Sequence, residues 1–414
     1  MSADYNKLLL FQPSYMSNFS CIGPACEDNC CYGWKIQVDK NSYEKYISTN
    51  NDKFKELFRL YLVEDNNSYH ITHKNGDCPF LNENQLCIIH KDLGEDFLCD
   101  TCTVYPRAFN ILNDSVEVSA SVSCPVIAKL ALTQKQGLDF EYTDAFDRYK
   151  YLPKRINSIT HIIDVNDDQY DDSYIKYLWN LRNFCIDILQ NQNTSLDQRL
   201  VLLGLFLDKV DSAIKSEKID SIPNIINLFS GYISNMNTPK LYKQDDFSYS
   251  IKFKILIEIL SKKAYSANKS YTFHNYYKEF LQGLNYYKGK DIKDVLEAYN
   301  SSYNKYLKPF TDNHTHILEN YLVNYIFRTL FPLDRNNEIF KPYVLLVVNY
   351  SLLKFYLSGI ASFNKGIEED MAIAVIQSYA KVINHNSSFV NEVYKMLKDC
   401  RMDNIKNLAV LLMD

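Results

Sequence analysis

Glycine is scarce in this chain, with only 11 among 414 residues, and no two glycines are separated by a single residue. A dinucleotide site needs Gly-x-Gly so that backbone can approach a phosphate at a helix N-terminus, and a P-loop needs Gly-Lys-Ser/Thr. Neither motif occurs in the sequence. Both of these nucleotide-binding arrangements are therefore excluded.

An excess of positive charge is also lacking, since 45 Lys and Arg residues face 50 acidic ones and the net charge is −5. A phosphate backbone would meet no overall positive field, so a general nucleic-acid binder is disfavoured. The basic and aromatic stretch 262–290 does not change this, because tyrosine is abundant throughout the chain. We expect that stretch to be a solvated helix face or a protein-docking face.

Long apolar runs are missing as well. Near the N-terminus only Leu8 to Phe11 is apolar, which is too short for the apolar region of a signal peptide. The most lipid-like stretch, Tyr343 to Ala361, contains asparagine, serine and lysine, which a bilayer would penalise and a buried soluble helix accommodates. We therefore expect a cytoplasmic protein with no membrane span.

Cysteine, by contrast, is concentrated in the first third of the chain. Nine of the 11 cysteines fall between residues 21 and 124. In a reducing cytosol these thiols would not persist as disulfides, and an odd total fits a disulfide framework poorly. Metal binding explains the spacing better, because two thiolates three residues apart can reach one ion and separated segments complete the tetrahedron. The candidate ligands are Cys21, Cys26, Cys30, Cys31, Cys78, Cys87, Cys99, Cys102 and Cys124.

Thiolate is a soft ligand, so these residues favour Zn²⁺ or an iron–sulfur cluster and exclude Mg²⁺ and Ca²⁺. The spacing does not choose between zinc and iron–sulfur. Nine candidates exceed the four that one site needs, so either two sites exist or some thiols are spectators. Four thiolates on a divalent ion leave a net negative charge at the site. Lys91, Arg107 and His90 are close to the cysteines in sequence and could offset that charge. Cys185 and Cys400, in apolar helical surroundings, are predicted to be core residues.

The hydrophobic pattern predicts a mainly α protein. A cysteine-rich, mixed α+β metal-binding region, residues 1–135, is expected to pack on an all-α helical body, residues 136–414. Alternating apolar residues predict a strand at Ser115 to Val122 and a short β segment at Trp34 to Val38. Between these strands, Asn41 to Leu62 has helical spacing and is predicted to form one helix.

After Pro153 the pattern becomes almost entirely helical. Ser195 and Gln198 form a capping box, in which each side chain satisfies the other's backbone N–H, and this predicts a helix start. Residues 251–260 alternate like a strand but lie in a helical neighbourhood, and we predict helix there. Two further helices are predicted at Leu318 to Leu330, closed by Pro332, and at Glu368 to Ile383.

His314 and His316, close to Asp312, form a second group of possible metal ligands. Two histidines separated by one residue and an acid can bind a metal, but the same residues are common in surface loops. We expect a surface loop here.

Five cysteine-bearing motifs follow one another in a distinctive order. They are Cys21-x4-Cys26-x3-Cys30-Cys31, Cys78-Pro79-Phe80-Leu81, Leu86-Cys87-Ile88-Ile89-His90, Cys99-Asp100-Thr101-Cys102-Thr103-Val104-Tyr105-Pro106-Arg107 and Ser123-Cys124-Pro125. This order resembles the flagellin lysine-N-methylase family, and a shorter form of it marks a wider class of small zinc- or iron-chelating domains. The resemblance continues into the C-terminal half at Glu319-Asn320-Tyr321-Leu322, Leu330-Phe331-Pro332, Ile376-Gln377 and His385.

The resemblance implies an enzyme that transfers methyl groups from S-adenosylmethionine to the ε-amino groups of flagellin lysines. It also implies an iron–sulfur cluster, expected as 4Fe-4S, that the cysteines hold. Methyl transfer needs an unprotonated amine, and free lysine has a pKa of about 10.4, so desolvation and a proton acceptor are the expected devices. Two other functions stay open at this point: a redox or electron-transfer protein, and a non-catalytic metal-stabilised scaffold whose helical body binds a partner.

Overall fold

The computed structural model describes residues 9–32, 36–66, 68–73, 76–144, 159–234, 246–266, 271–287, 289–334, 336–383 and 387–412. Four residues named above, Leu8, Trp34, Pro153 and His385, lie outside these ranges. The strands are β1 (Leu9–Pro13), β2 (Ile36–Val38), β3 (Leu62–Asp65), β4 (Ser68–Ile71), β5 (Arg107–Leu112), β6 (Ser115–Ala120), β7 (Phe140–Thr143) and β8 (Ile159–Ile163).

Helices make up most of the rest. In the first part they are α1 (Lys40–Ile47), α2 (Asp52–Tyr61), α3 (Ile88–Leu93), α4 (Asp100–Val104) and α5 (Pro125–Leu132). The later ones are α6 (Leu178–Gln190), α7 (Leu196–Lys215), α8 (Ile222–Ser234), α9 (Asp246–Ser266), α10 (Tyr271–Gly283), α11 (Ile292–Ser302), α12 (Lys308–Asn313), α13 (Thr315–Arg328), α14 (Phe340–Phe363), α15 (Glu369–Ile383), α16 (Ser387–Asp399) and α17 (Ile405–Leu412). The fold is mainly α with a mixed N-terminal part, as predicted.

A five-stranded sheet in the order β7-β1-β6-β5-β8 joins the two parts of the chain. The central strand β6 is parallel to β1 and antiparallel to β5. Its apolar residues Val116 and Val118 are buried as predicted, but Glu117 and Ser119 are buried too, because helices cover the other face. The side chain of Arg182 in α6 donates to Glu117 at 2.5 and 2.6 Å, which pairs the buried carboxylate.

The smaller sheet, β2-β4-β3, is antiparallel and packs with α1 and α2 around a core of its own. The single helix predicted at Asn41 to Leu62 is wrong, because α1 ends at Ile47 and α2 begins at Asp52. Asn51 interrupts it, since its side chain accepts a hydrogen bond from the backbone N–H of Phe54 and starts a new helix.

The helical body confirms the other helix predictions. The capping box of Ser195 and Gln198 starts α7, residues 251–260 lie inside α9, and α13 and α15 occupy the two remaining predicted segments. One strand, β8, follows Pro153 and pairs in parallel with β5. Because β7 and β8 lie beyond residue 135 and complete the larger sheet, the division at residue 135 stays a prediction.

One described helix, α14, is long and apolar enough to cross a membrane, with a mean hydropathy of 1.6 over its most apolar 18 residues. Within the structure, 94% of that window is buried. Lys354, in the middle of the helix, forms an ion pair with Asp197 at 3.1 Å. These features are those of the core helix of a soluble protein, in which a paired charge is tolerated.

Candidate functional site

Six of the nine predicted ligands gather around the smaller core. Cys78 and Cys99 are buried within it, and Cys31 and Cys87 pack against it. We call this group the thiol cluster; its members are Cys30, Cys31, Cys78, Cys87, Cys99 and Cys102. The cluster therefore draws sulfur atoms from four separate segments of the chain.

The thiols of the cluster contact one another directly. Cys31 is hydrogen-bonded to both Cys30 and Cys78, and Cys99 is hydrogen-bonded to Cys102. The bond with Cys31, together with burial, raises the pKa of Cys30 far above its ordinary value, while the bond with Cys102 lowers the pKa of Cys99. Hydrogen bonding and burial thus hold Cys30 and Cys102 as protonated thiols, while the bond from Cys102 favours ionisation of Cys99.

Three of the predicted ligands lie at helix N-termini. Cys87, Cys99 and Cys124 are the residues that immediately precede α3, α4 and α5. Burial raises the pKa of Cys124 to about 11, and hydrogen bonds from backbone N–H groups of the first turn of α5 act in the opposite direction. Helix N-termini favour thiolate, so these N–H groups supply donors that a negatively charged metal site needs.

The remaining three candidates, Cys21, Cys26 and Cys124, form a second group beside the thiol cluster. Ionised Cys21 or Cys26 would raise the pKa of Cys124, and ionised Cys30 would raise that of Cys26, which places these side chains near one another. Cys21 is exposed, and Cys26 and Cys124 are half-buried. The nine thiols are therefore arranged as six plus three.

Helix α15 holds the cysteine-bearing loop in place from the far end of the chain. The Lys381 ammonium donates to the Asp28 carboxylate at 2.5 Å and to the backbone carbonyl of Asn29 at 3.0 Å. The amide of Gln377 donates to the other oxygen of Asp28 at 2.9 Å and to the carbonyl of Ser123 at 2.6 Å. One helix thus fixes the backbone beside Cys30 and Cys124.

The cation that acts on these thiols also comes from α15. The charge of Lys381 lowers the pKa of Cys30 against the larger effects that raise it. His90 and Lys91 are exposed, and Arg107 stacks on an aromatic ring at 4.8 Å. Sequence proximity suggested those three residues and missed Lys381, whose only signal was its helical spacing from Gln377.

The donor set suits a soft metal, because all nine candidates are free cysteines. Across the described ranges, however, no three His, Cys, Asp or Glu side chains are arranged as a ready ligand set for one ion. The thiols are gathered without forming a closed tetrahedron. The assignment of individual cysteines as ligands accordingly stays a prediction.

Two other predicted residue roles have mixed outcomes. Cys185 is fully buried in α6, as predicted, but Cys400 is exposed at the end of α16, so its placement in the core is wrong. His316 is only 7% exposed and lies in the first turn of α13, so the expected surface loop is also wrong at that residue. The local sequence around His316 contains no signal that distinguishes the start of a helix from a polar surface loop.

A polar cavity of about 780 Å³ opens into the helical body. The starts of α7 and α13, the middle of α14 and a π-helical segment, Tyr303–Leu307, form its walls. Buried Arg199 at its wall donates to Glu319 at 2.6 Å. A volume of this size is typical of small-molecule sites.

The fold and these two sites define a mainly helical protein with a thiol-rich candidate metal region and a polar cavity. Residues 182–411 match the model of the FliB lysine N-methylase C-terminal domain, which is more than half of the chain. The chain belongs to the FliB lysine N-methylase family, which confirms the resemblance. No solved structure matches the chain.

Relatives extend this match to the N-terminal part. The lysine-N-methylase of Salmonella typhimurium (strain LT2) is 22% identical over 412 residues, covering 95% of this chain and 96% of that protein. The lysine-N-methylase of Salmonella choleraesuis is 21% identical with the same coverage. The flagellar biosynthetic protein FliU of Salmonella muenchen is 31% identical over 152 residues, 35% of this chain and 90% of that protein. These names support a lysine methyltransferase role.

Proposed function

We propose that this protein is a cytoplasmic lysine N-methyltransferase that uses S-adenosylmethionine and acts on flagellin. The observation that carries the proposal is the similarity to lysine-N-methylases over 95% of the chain. The FliU relative supports a flagellar substrate by its name. The largely buried α14 is consistent with a soluble protein.

The thiol cluster is proposed to hold an iron–sulfur cluster, expected as 4Fe-4S, with zinc as the alternative. The convergence of the six thiols and the N–H groups at the starts of α3 and α4 support this assignment. A bound metal centre would replace thiol protons and stabilise thiolates that otherwise repel one another. Lys381 and the helix N-termini would offset the remaining negative charge.

The reaction requires alignment of an amine, a methyl carbon and a sulfonium sulfur. The amine must lose its proton before its lone pair can attack, and the C–S bond then breaks with its electrons moving to sulfur. An enzyme contributes by fixing this geometry and by excluding water, which lowers the pKa of the amine. Helix α15 contributes to the geometry by fixing the cysteine-bearing loop to the helical body.

Incubating anaerobically purified protein with S-adenosylmethionine and unmodified flagellin tests the function. We expect the mass of flagellin to increase in steps of one methyl group, on peptides that contain lysine. A control reaction without the protein should leave the mass unchanged. An unmodified product under conditions in which the protein is folded and metal-loaded would contradict the proposal.

Metal analysis and an absorption spectrum of the same sample test the cofactor separately. A brown protein containing iron and sulfide supports the iron–sulfur assignment, and a colourless protein containing zinc supports the alternative. Reversible redox cycling without methyl transfer would instead favour an electron-transfer function.

A further inference from the structure

The polar cavity contains a buried imidazole whose ring nitrogen is unused. His316 is 7% exposed and lines the cavity, and among the described residues its Nε2 has no hydrogen-bond partner. The hydroxyl of Thr194, on the same wall, is likewise without a partner in the described part of the chain. Buried polar atoms are nearly always hydrogen-bonded, so two unsatisfied atoms on residues that line one cavity point to a polar ligand there.

The charges of the cavity lining disfavour a protonated amine. Three of the four basic side chains in the lining are ion-paired, Arg199 with Glu319, Lys308 with Asp312 and Lys354 with Asp197, and Lys135 supplies the excess positive charge. A positive surrounding lowers the pKa of a bound lysine, because like charges oppose its protonated form. The same surrounding attracts the carboxylate of an amino-acid donor such as S-adenosylmethionine.

The floor of the cavity carries aromatic rings. Tyr303 and Tyr350 lie 5.4 and 5.1 Å from the Lys354 ammonium, and the Tyr350 hydroxyl donates to Asp197 at 2.6 Å. Tyr303 belongs to the π-helical segment, and π-helical turns inside helical bundles occur frequently at functional sites.

We propose that this cavity is where the methyl donor and the acceptor lysine meet, and that His316 accepts the proton from the lysine ammonium; this rests on the proposed methyltransferase function. Nε2 of His316 takes one proton and becomes imidazolium. The freed amine lone pair bonds to the methyl carbon, the C–S bond breaks, and its electron pair stays on sulfur as S-adenosylhomocysteine. The product is a protonated methyl-lysine, so atoms and charge balance.

The surroundings of His316 favour the neutral imidazole, which is the form that can accept a proton. Burial lowers its pKa, His314 and Lys135 lower it further, and the carboxylates of Glu369 and Glu319 act in the opposite direction. A neutral imidazole is therefore present at neutral pH. His314 lies two residues before His316, Lys135 lies in the segment after α5, and the carboxylates belong to α15 and α13.

The variant His316→Gln tests the proposal, because glutamine has a similar size but cannot take up a proton. We expect kcat at neutral pH to fall by about 10²- to 10⁴-fold. The KM for S-adenosylmethionine should stay unchanged, since ground-state binding is not altered. The residual rate should rise roughly tenfold per pH unit as free lysine loses its proton in solution, whereas the wild-type rate rises less.

The matched control is His274→Gln in α10, which lies outside the cavity lining and does not act on the pKa of His316. Its rate and pH profile should remain close to wild type. A second variant, Asn304→Trp, places a bulky ring at an exposed position of the lining without touching the core. It should weaken the binding of S-adenosylhomocysteine, measured by equilibrium dialysis, while the thermal unfolding midpoint stays unchanged.

Two outcomes would overturn the inference at different levels. The first outcome is a wild-type-like rate and pH profile in His316→Gln together with unchanged binding in Asn304→Trp. This outcome would show that the cavity is not the reaction site, and it would leave the proposed function intact. Absence of methyl transfer by the wild-type protein would remove the proposed function and this inference with it.

Discussion

The helical body buries one continuous apolar core that reaches from Leu10 in β1 to Leu412 in α17. The cysteine-bearing region, in contrast, has a separate core in which ten of the described residues are buried, two of which are Cys78 and Cys99. A core of that size stabilises little by apolar burial alone, and small units of this kind commonly rely on a bound metal. We therefore propose that the two regions differ in what holds them together: apolar burial in one, and a thiol-bound metal in the other.

Metal removal should produce the largest difference in stability between the two regions. A chelator under anaerobic conditions should unfold the cysteine-bearing region, residues 36–104, because structural thiolate sites contribute on the order of 10 kcal/mol. Amide hydrogen exchange should become fast there and remain slow in α13 and α14. Restoring the metal should restore protection. Uniform loss of protection across both regions would contradict the comparison.

Breaking the buried ion pair between Arg182 and Glu117 should affect the helical body instead. The variant Arg182→Met leaves the Glu117 carboxylate buried and unpaired, which should lower the free energy of unfolding by about 3–5 kcal/mol in denaturant titrations. The control Lys53→Met removes an exposed partner of Asp92 and should cost about 0–1 kcal/mol. Equal losses in the two variants would contradict the role of burial.

The free energy of unfolding of the helical body should depend on pH through Lys263. Burial lowers its pKa from 10.5 to about 8. Below pH 8 the folded protein carries a buried charge that destabilises it; from pH 8 to 10.5 the folded state loses this proton before the unfolded state does, so stability rises. Lys263→Met should therefore be more stable than wild type at pH 7, by up to about 3 kcal/mol, with the difference vanishing near pH 10.5.

The neighbouring exposed residue provides the control for this experiment. Lys262 is 59% exposed and pairs with Glu258 within the same helix. Lys262→Met should leave the pH dependence of the unfolding free energy as in wild type. If Lys262→Met and Lys263→Met change that dependence equally, burial is not the cause.

We expect the hydrogen bonds of Asp39 to support both the stability of the cysteine-bearing region and its binding of metal. Its carboxylate accepts from the N–H of Ser42 at 2.9 Å and from the N–H of Asp100, beside Cys99, at 2.9 Å. Asp39→Ala should cost about 1–2 kcal/mol and lower the bound metal, because both contacts are lost. Asn51→Ala removes the cap of α2 alone, so it should cost a similar amount and leave the metal content unchanged.

The sequence predicted best the features that depend on neighbours in the chain. The α7 start follows from Ser195 and Gln198, which are three residues apart. The split between α1 and α2 was missed because helical spacing outweighed the single capping side chain of Asn51. Strand β8 was missed because it forms only against β5, about 50 residues earlier.

Prediction of the candidate sites was limited in the same way, because contacts between residues far apart in the chain leave no local pattern. The cysteine motifs were visible because their members are close in sequence, and Pro125 after Cys124 is a helix-start signal that could have revealed the N-terminal position of that thiol. Lys381 reaches Asp28 across 353 residues, so no local pattern contains their contact. The cavity around His316 is likewise built from four distant segments.

X-ray absorption spectroscopy on the anaerobically purified protein tests the central claim about the cysteine-bearing region most directly. The account predicts iron or zinc surrounded by sulfur ligands, with the signal lost in a Cys99→Ser/Cys102→Ser variant whose helical body remains folded. A folded protein that contains no metal, or one whose metal has nitrogen and oxygen ligands, would contradict it.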